Sequence, residues 1–76
     1  MYIVIELQTD NEGHTANIVS TKQTEPEAKS AFHSICAAAA ISSLRYHTAI
    51  VVDPQGRYIA RECFEHFPDP EGGDEA

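Results

Sequence analysis

The chain has 76 residues, two of them cysteine, and its twelve acids against five Lys and Arg give a net charge of −7. That length holds one domain, whose core would hide only about 60% of the unfolded surface, so a disulfide, a metal or a partner subunit is expected to supplement it. The acidic balance speaks against nucleic-acid binding through a basic face, and no apolar stretch approaches the ~20 residues needed to cross a bilayer.

In chain order, YIVIELQ (Tyr2 to Gln8) alternates. Ile3, Ile5 and Leu7 fall on one side and Tyr2, Val4, Glu6 and Gln8 on the other, the pattern of a strand with one strongly apolar face. No basic leader precedes this run, so it reads as a strand and not as a secretory signal. Thr9 to Gly13 is turn chemistry, and extended structure resumes from His14 to Gln23, closing a first hairpin. Thr24-Glu25-Pro26-Glu27 predicts a helix start: Thr24 caps the first turn, Glu27 reaches back, and Pro26 sits where its missing N–H does no harm. The Ala-rich run then carries the helix until it fades near Ser42-Ser43.

A second hairpin follows, with a strand from Arg45 to Val52, a turn at Asp53-Pro54-Gln55-Gly56, and a return strand from Arg57 to Phe67. A two-residue loop at Pro54-Gln55 pairs His47 with Glu62, Ala49 with Ala60, and Val51 with Tyr58. On the other face it pairs Ile50 with Ile59 and Tyr46 with Cys63. The expected architecture is α+β, in the order β-β-α-β-β, with two antiparallel hairpins forming one sheet packed on a single Ala-rich helix. Residues 1–67 form that domain, and residues 68–76, which hold four of the acids, are expected to be a disordered tail. Without the tail the balance is eight acids against five bases. Cys36 and Cys63 lack the spacing of a zinc knuckle or redox pair, and two reduced thiols fit better than one bridge.

Helix positions advance by about 100° each, which gathers Ala28, Ala31, Phe32, Ile35 and Ala39 into a stripe that should face the sheet. The opposite arc ought to be charged. Instead, no charged residue occurs from Ser30 through Leu44. Ser30, Ser34, Ala37, Ala40 and Ile41 on that arc are therefore expected to meet a second copy around a two-fold axis, giving at least a dimer. A tolerant, solvated Ala/Ser surface is the plainer alternative. The second sheet face, with Val4, Val51, Tyr58 and Phe64, is another expected contact.

His47, Glu62 and His66 share one face of the second hairpin as predicted, where a His–Glu pair could orient an imidazole or hold a ligand. Glu62 and His66 lie about 13 Å apart along a strand, too far for one metal ion within one chain. His33 on the helix, and Arg45, Arg57, Tyr58 and Arg61 on the hairpin, complete the candidate ligand-binding set, which could meet phosphate and base between subunits. No nucleophile motif, Gly-rich phosphate loop, HExxH or Asp-rich calcium loop is present. No enzyme activity, cofactor or metal is expected from the residues.

At YIVIELQT, FHSICAAAAISS, HTAIVV and GRYIARECFEH, the chain resembles a group of short proteins encoded in phages and prophages of Gram-positive gut bacteria. The likeness covers roughly residues 1–67 and is carried by the Ala run, His47, and the Glu62-x-Phe64-x-His66 pattern. It supplies a setting and no mechanism: a viral accessory protein in the host cytoplasm, directed at host defence. Three readings fit that setting. The first is an oligomeric sponge for a cyclic or other signalling nucleotide, and the second a protein-binding inhibitor of a host factor or a small virion component. The third is an enzyme or metal protein with a composite intersubunit site.

Overall fold

In a computed structural model, residues 1–67 of the chain are described. The expected acidic tail lies outside them. The elements are β1 (Tyr2–Thr9), β2 (Thr15–Lys22), α1 (Glu25–Ala40), β3 (Tyr46–Val52) and β4 (Tyr58–Glu65). They form one antiparallel sheet in the order β2-β1-β3-β4, with a single helix against it. The architecture is α+β, as the alternation and the helix start predict.

The two hairpins turn on the same chemistry. Asp10 accepts backbone N–H bonds from Glu12 and His14 through Oδ1, both at 2.9 Å. Asp53 does the same for Gln55 and Arg57, also at 2.9 Å. Three residues beyond each aspartate stands a glycine in the left-handed region, Gly13 at φ 90° and Gly56 at φ 86°. Each glycine donates its N–H to the aspartate carbonyl, and each aspartate N–H reaches the carbonyl of the residue after the glycine. These are type I turns closed by a left-handed glycine, giving three-residue loops.

The second loop corrects the expected register. A three-residue loop shifts the pairing by one, and Ile59 adds an irregularity where the ladder steps from Val52↔Tyr58 to Val51↔Ala60. His47 therefore faces Phe64 and not Glu62, Ala49 faces Glu62, Ile50 faces Arg61, and Tyr46 faces Glu65.

α1 starts as predicted. Thr24 and Glu27 form the reciprocal capping box, each bond 3.3 Å long. The helix ends at Ala40, capped by Ile41, slightly before the expected fade. Ala28, Phe32 and Ala39 are buried, with Ala31, Ile35 and Cys36 packed beside the core.

The face of the sheet that the helix covers is the opposite of the one its hydrophobicity suggests. Residues directly opposite in an antiparallel ladder share a face, and faces alternate along a strand. The helix lies over Val4, Ala49 and Val51, with Tyr2, Ile59 and Ala60 around them. Ala28, Ala39 and Ala49 have no exposed surface, so small side chains on both layers let the backbones come close. Val4 and Val51, expected on a second contact face, are instead the largest fully buried side chains. Ile3, Ile5 and Leu7 are left on the other face with no second layer over them.

Candidate functional site

Two regions of the described residues carry chemistry or surface that the fold alone does not consume. The first is a polar network beneath the C-terminal end of α1. His47, only 4% exposed, places Nε2 at 2.6 Å from Glu6 Oε2 and Nδ1 at 3.1 Å from Ser42 Oγ. Gln8 donates to the same Glu6 oxygen at 2.8 Å. Ser42 Oγ can also donate to the Ala39 carbonyl, at 3.3 Å, and His66 Nε2 donates to that carbonyl at 2.7 Å. Burial raises the Glu6 pKa, but the hydrogen bonds from His47 and Gln8 and the charge of His47 outweigh it, so the carboxyl titrates below its ordinary value.

This chain of contacts satisfies both protonation states of His47. In the neutral ring Nδ1 accepts from Ser42, while in the charged ring Nδ1 donates and the Ser42 hydroxyl turns to Ala39. Glu6, His47 and Ser42 have the composition of a hydrolytic triad, but the electrostatics oppose nucleophilic catalysis. Ser42 sits where helix carbonyls converge, the negative end of the dipole, which disfavours an alkoxide or a developing oxyanion. The arrangement can hold a helix end against the sheet.

The second region is the open sheet face, whose cross-strand rows follow from the register. Val19, Ile5, Ile50 and Arg61 form one row; Thr21, Ile3, Val52 and Tyr58 the next. On the other side of the first row run Asn17, Leu7, Thr48 and Cys63, and then Thr15, Thr9, Tyr46 and Glu65. The centre is apolar, and its only charges, Arg61 and Glu65, lie along β4. Its area follows from strand geometry: four strands about 4.8 Å apart and seven or eight residues long at ~3.3 Å each give roughly 480 Å².

The sequence-predicted ligand residues are dispersed. Arg57 is held in its turn by Asp53, Nε to Oδ2 at 2.9 Å, and Tyr58 beside it is exposed. His66 lies at the other end of β4, roughly 25–30 Å away by strand rise. Near it, the Arg45 guanidinium stands 4.5 Å over the Phe67 ring and 5.4 Å over Tyr46, with its Nε buried and lacking a hydrogen-bond partner. Arg61 is exposed on the open face, whereas Glu62 is exposed on the helix side, close enough to Cys36 to join burial in raising that thiol's pKa. His33 is exposed, its ring edge-on to Phe32 at 5.5 Å. One subunit thus gathers His47 with His66, and Arg61 with Tyr58, but not the set as a whole.

Ser30, Ser34, Ala37, Ala40 and Ile41 are all exposed, Ile41 at 88%, as an outward helix arc requires. The expected His47–Glu62 pair is replaced by His47–Glu6. Glu6 and Ser42 are the partners that sequence reasoning missed; the available signal was a carboxylate inside an otherwise apolar strand. Cys36 and Cys63 are both free and sit on opposite faces of the sheet. Asp10, Glu12 and His14 bring ligand-type atoms within 4.8 Å of one another. Asp10 is already engaged by the turn, and its counterpart Asp53 performs the same duty beside an arginine, so turn chemistry accounts for the cluster. Among the described residues, no helix is long and apolar enough to cross a membrane. Comparison with protein-family models, with curated proteins and with solved structures gives no match.

Proposed function

We propose that the chain is a non-catalytic binding protein whose working form is a homo-oligomer, with copies meeting through the open face of the sheet. The observation that carries this reading is the apolar centre of that face, formed by Ile3, Ile5, Leu7, Val19, Ile50 and Val52, over which no second layer lies: Ile3 and Val19 are exposed, Ile5, Leu7 and Val52 half-buried, and Ile50 is buried among its neighbours. A sheet with one apolar layer covered and another bare normally acquires a second layer. Stacking two such faces would remove about 1,000 Å² in total, the lower bound for a specific interface. The charged rim is self-complementary, because Arg61 and Glu65 have opposite signs and a two-fold axis can bring each to the other's copy.

Within the phage-accessory setting that the resemblance implies, the ligand class favoured is a small phosphorylated signal such as a cyclic nucleotide, captured without being cut, in the host cytoplasm. Arg61 and the exposed ring of Tyr58 support it: both lie on the rim of the proposed seam, suited to phosphate and to base stacking, and a two-fold would supply them twice. The second reading is an inhibitor of a host protein or a small virion component. It is favoured by the same apolar face, which suits a foreign surface as well as a copy. An enzyme with a composite intersubunit site ranks last, on the electrostatics at Ser42.

Native mass spectrometry on protein purified from cells, repeated after denaturation, tests these readings. An assembly with a discrete extra mass in the nucleotide range supports capture, and that mass should be lost on Arg61→Ala. A bare assembly whose melting temperature is unmoved by a nucleotide panel removes the sponge and leaves a protein partner. A monomer at tens of micromolar sinks the oligomer itself.

A further inference from the structure

The two edges of the sheet are unequally protected. Edge strands expose backbone N–H and C=O groups that recruit another strand, and proteins blunt them with charge, proline or irregularity. β4 has such devices: Arg61, Glu62 and Glu65 along it and the register step at Ile59. β2 has none. Its ladder with β1 is continuous from Tyr2↔Lys22 to Thr9↔Thr15, and from Thr15 to Thr21 it holds no charge, proline or glycine. Its two large apolar side chains are both half out in solvent, Ile18 at 54% and Val19 at 57%, one on each face of the sheet. The helix does not shield it either: between β2 and α1 lies a cleft of about 410 Å³ lined by Thr21, Lys22, Gln23, Glu27, Ser30 and Ala31.

We infer that β2 is a pairing edge and that it is filled by β2 of a second copy, antiparallel across a two-fold axis, joining two four-stranded sheets into one of eight. The self-complementarity of the strand picks a copy over a foreign peptide. Neutral meets neutral along the whole overlap, and the only charge, Lys22, sits at the end, where a two-fold keeps it away from its own image. The symmetry also fixes the register to a choice of two. A two-fold perpendicular to the sheet keeps each side chain on its own face, so the residue at the axis must oppose itself. The middle of Thr15–Lys22 falls between Ile18 and Val19, so either Ile18 meets Ile18 or Val19 meets Val19. Both helices then lie on one side of the joined sheet, and two open apolar faces become one continuous face. This contact is independent of stacking through the open face; together they give a tetramer, and either alone gives a dimer.

Hydrogen exchange of the β2 amides, followed with the assembly mass, separates the two contacts. In the intact protein at concentrations where it assembles, the outward amides of β2 are expected to be protected, and dilution should release them. Ile18→Lys, at an exposed position off the open face, should abolish that protection and halve the mass. Ile5→Lys, at the centre of the open face, should leave the protection in place. In a Cys36→Ser/Cys63→Ser background, Ile18→Cys or Val19→Cys should cross-link to a dimer under mild oxidation, since residues opposite across an antiparallel ladder lie about 4.5–5.5 Å apart. Outward β2 amides that exchange freely in the assembled protein overturn the edge pairing while leaving open-face assembly standing. Protection accompanied by a bound foreign peptide in the mass spectrum, or cross-linking by neither cysteine, overturns the second copy as occupant.

Discussion

His47 joins three parts of the chain that are distant in sequence, because Glu6 belongs to β1 and Ser42 follows the helix. The lowered pKa of Glu6 makes this contact pH-dependent in one direction. A carboxyl whose folded pKa is depressed stabilises the fold above its unfolded value and loses that contribution as pH falls from about 4.3 through the folded value. Thermal melts between pH 7 and pH 3 are expected to show a fall over that window that is smaller in Glu6→Gln. Asp10 and Asp53 are also lowered, first by backbone hydrogen bonds from His14 and Arg57, so part of the acid response will survive the substitution. Glu6→Ala strips His47 and Gln8 of their acceptor, and about 1–3 kcal/mol of stability should go with it in urea titrations. His47 was legible as a special residue, but its partner was not. Pairing it with Glu62 needs only the hairpin, whereas Glu6 enters through β1·β3 pairing, which no local pattern encodes.

At the scale of elements, the turns and the helix start were written in the chain because each depends on a few neighbouring residues: Asp and Gly at fixed spacing, or Thr24 and Glu27 around Pro26. Register was not, because one residue more in the loop and one irregularity at Ile59 are worth less than local chemistry can resolve yet move every pair in β3·β4. The buried face of β1 was misread for a related reason. Ile3, Ile5 and Leu7 are the more apolar set, but the helix needs close approach, and Ala49 beside Val4 and Val51 permits it where the larger Ile50 between Ile5 and Arg61 would not. Gly13 and Gly56 offer a direct check on the turns. A Cβ at either would meet nothing within 4 Å, so Gly→Ala there reports backbone strain alone. Each substitution should cost about 1–2 kcal/mol by chemical denaturation. A much smaller loss at Gly56 would mean that the loop relaxes to another turn and that the β3·β4 register is softer than described.

For the whole molecule, a chain of 76 residues is short of core, which is the ground for expecting a further layer, and Val4 and Val51 are its largest fully buried side chains among the described residues. The helix pattern points to the outward arc as the place for that layer, whereas the structure leaves a second, more apolar surface on the sheet with no layer over it. The two surfaces make opposite predictions in analytical ultracentrifugation. Ile5→Lys should lower the oligomeric state with no change in the far-ultraviolet circular dichroism, and Ala37→Glu should leave the assembly intact; splitting by Ala37→Glu alone would return the seam to the helix. The twin aspartate turns also bear on how the fold is reached. Each hairpin can zip locally within about 1–10 μs, whereas joining β1 to β3 must close a span that includes the helix and brings Val4 to Val51. The rate-limiting barrier should therefore be the meeting of two preformed halves. In stopped-flow experiments Val51→Ala, at that meeting line, should slow refolding more than it speeds unfolding, and a mutant protein that refolds at the unaltered rate would put the barrier elsewhere.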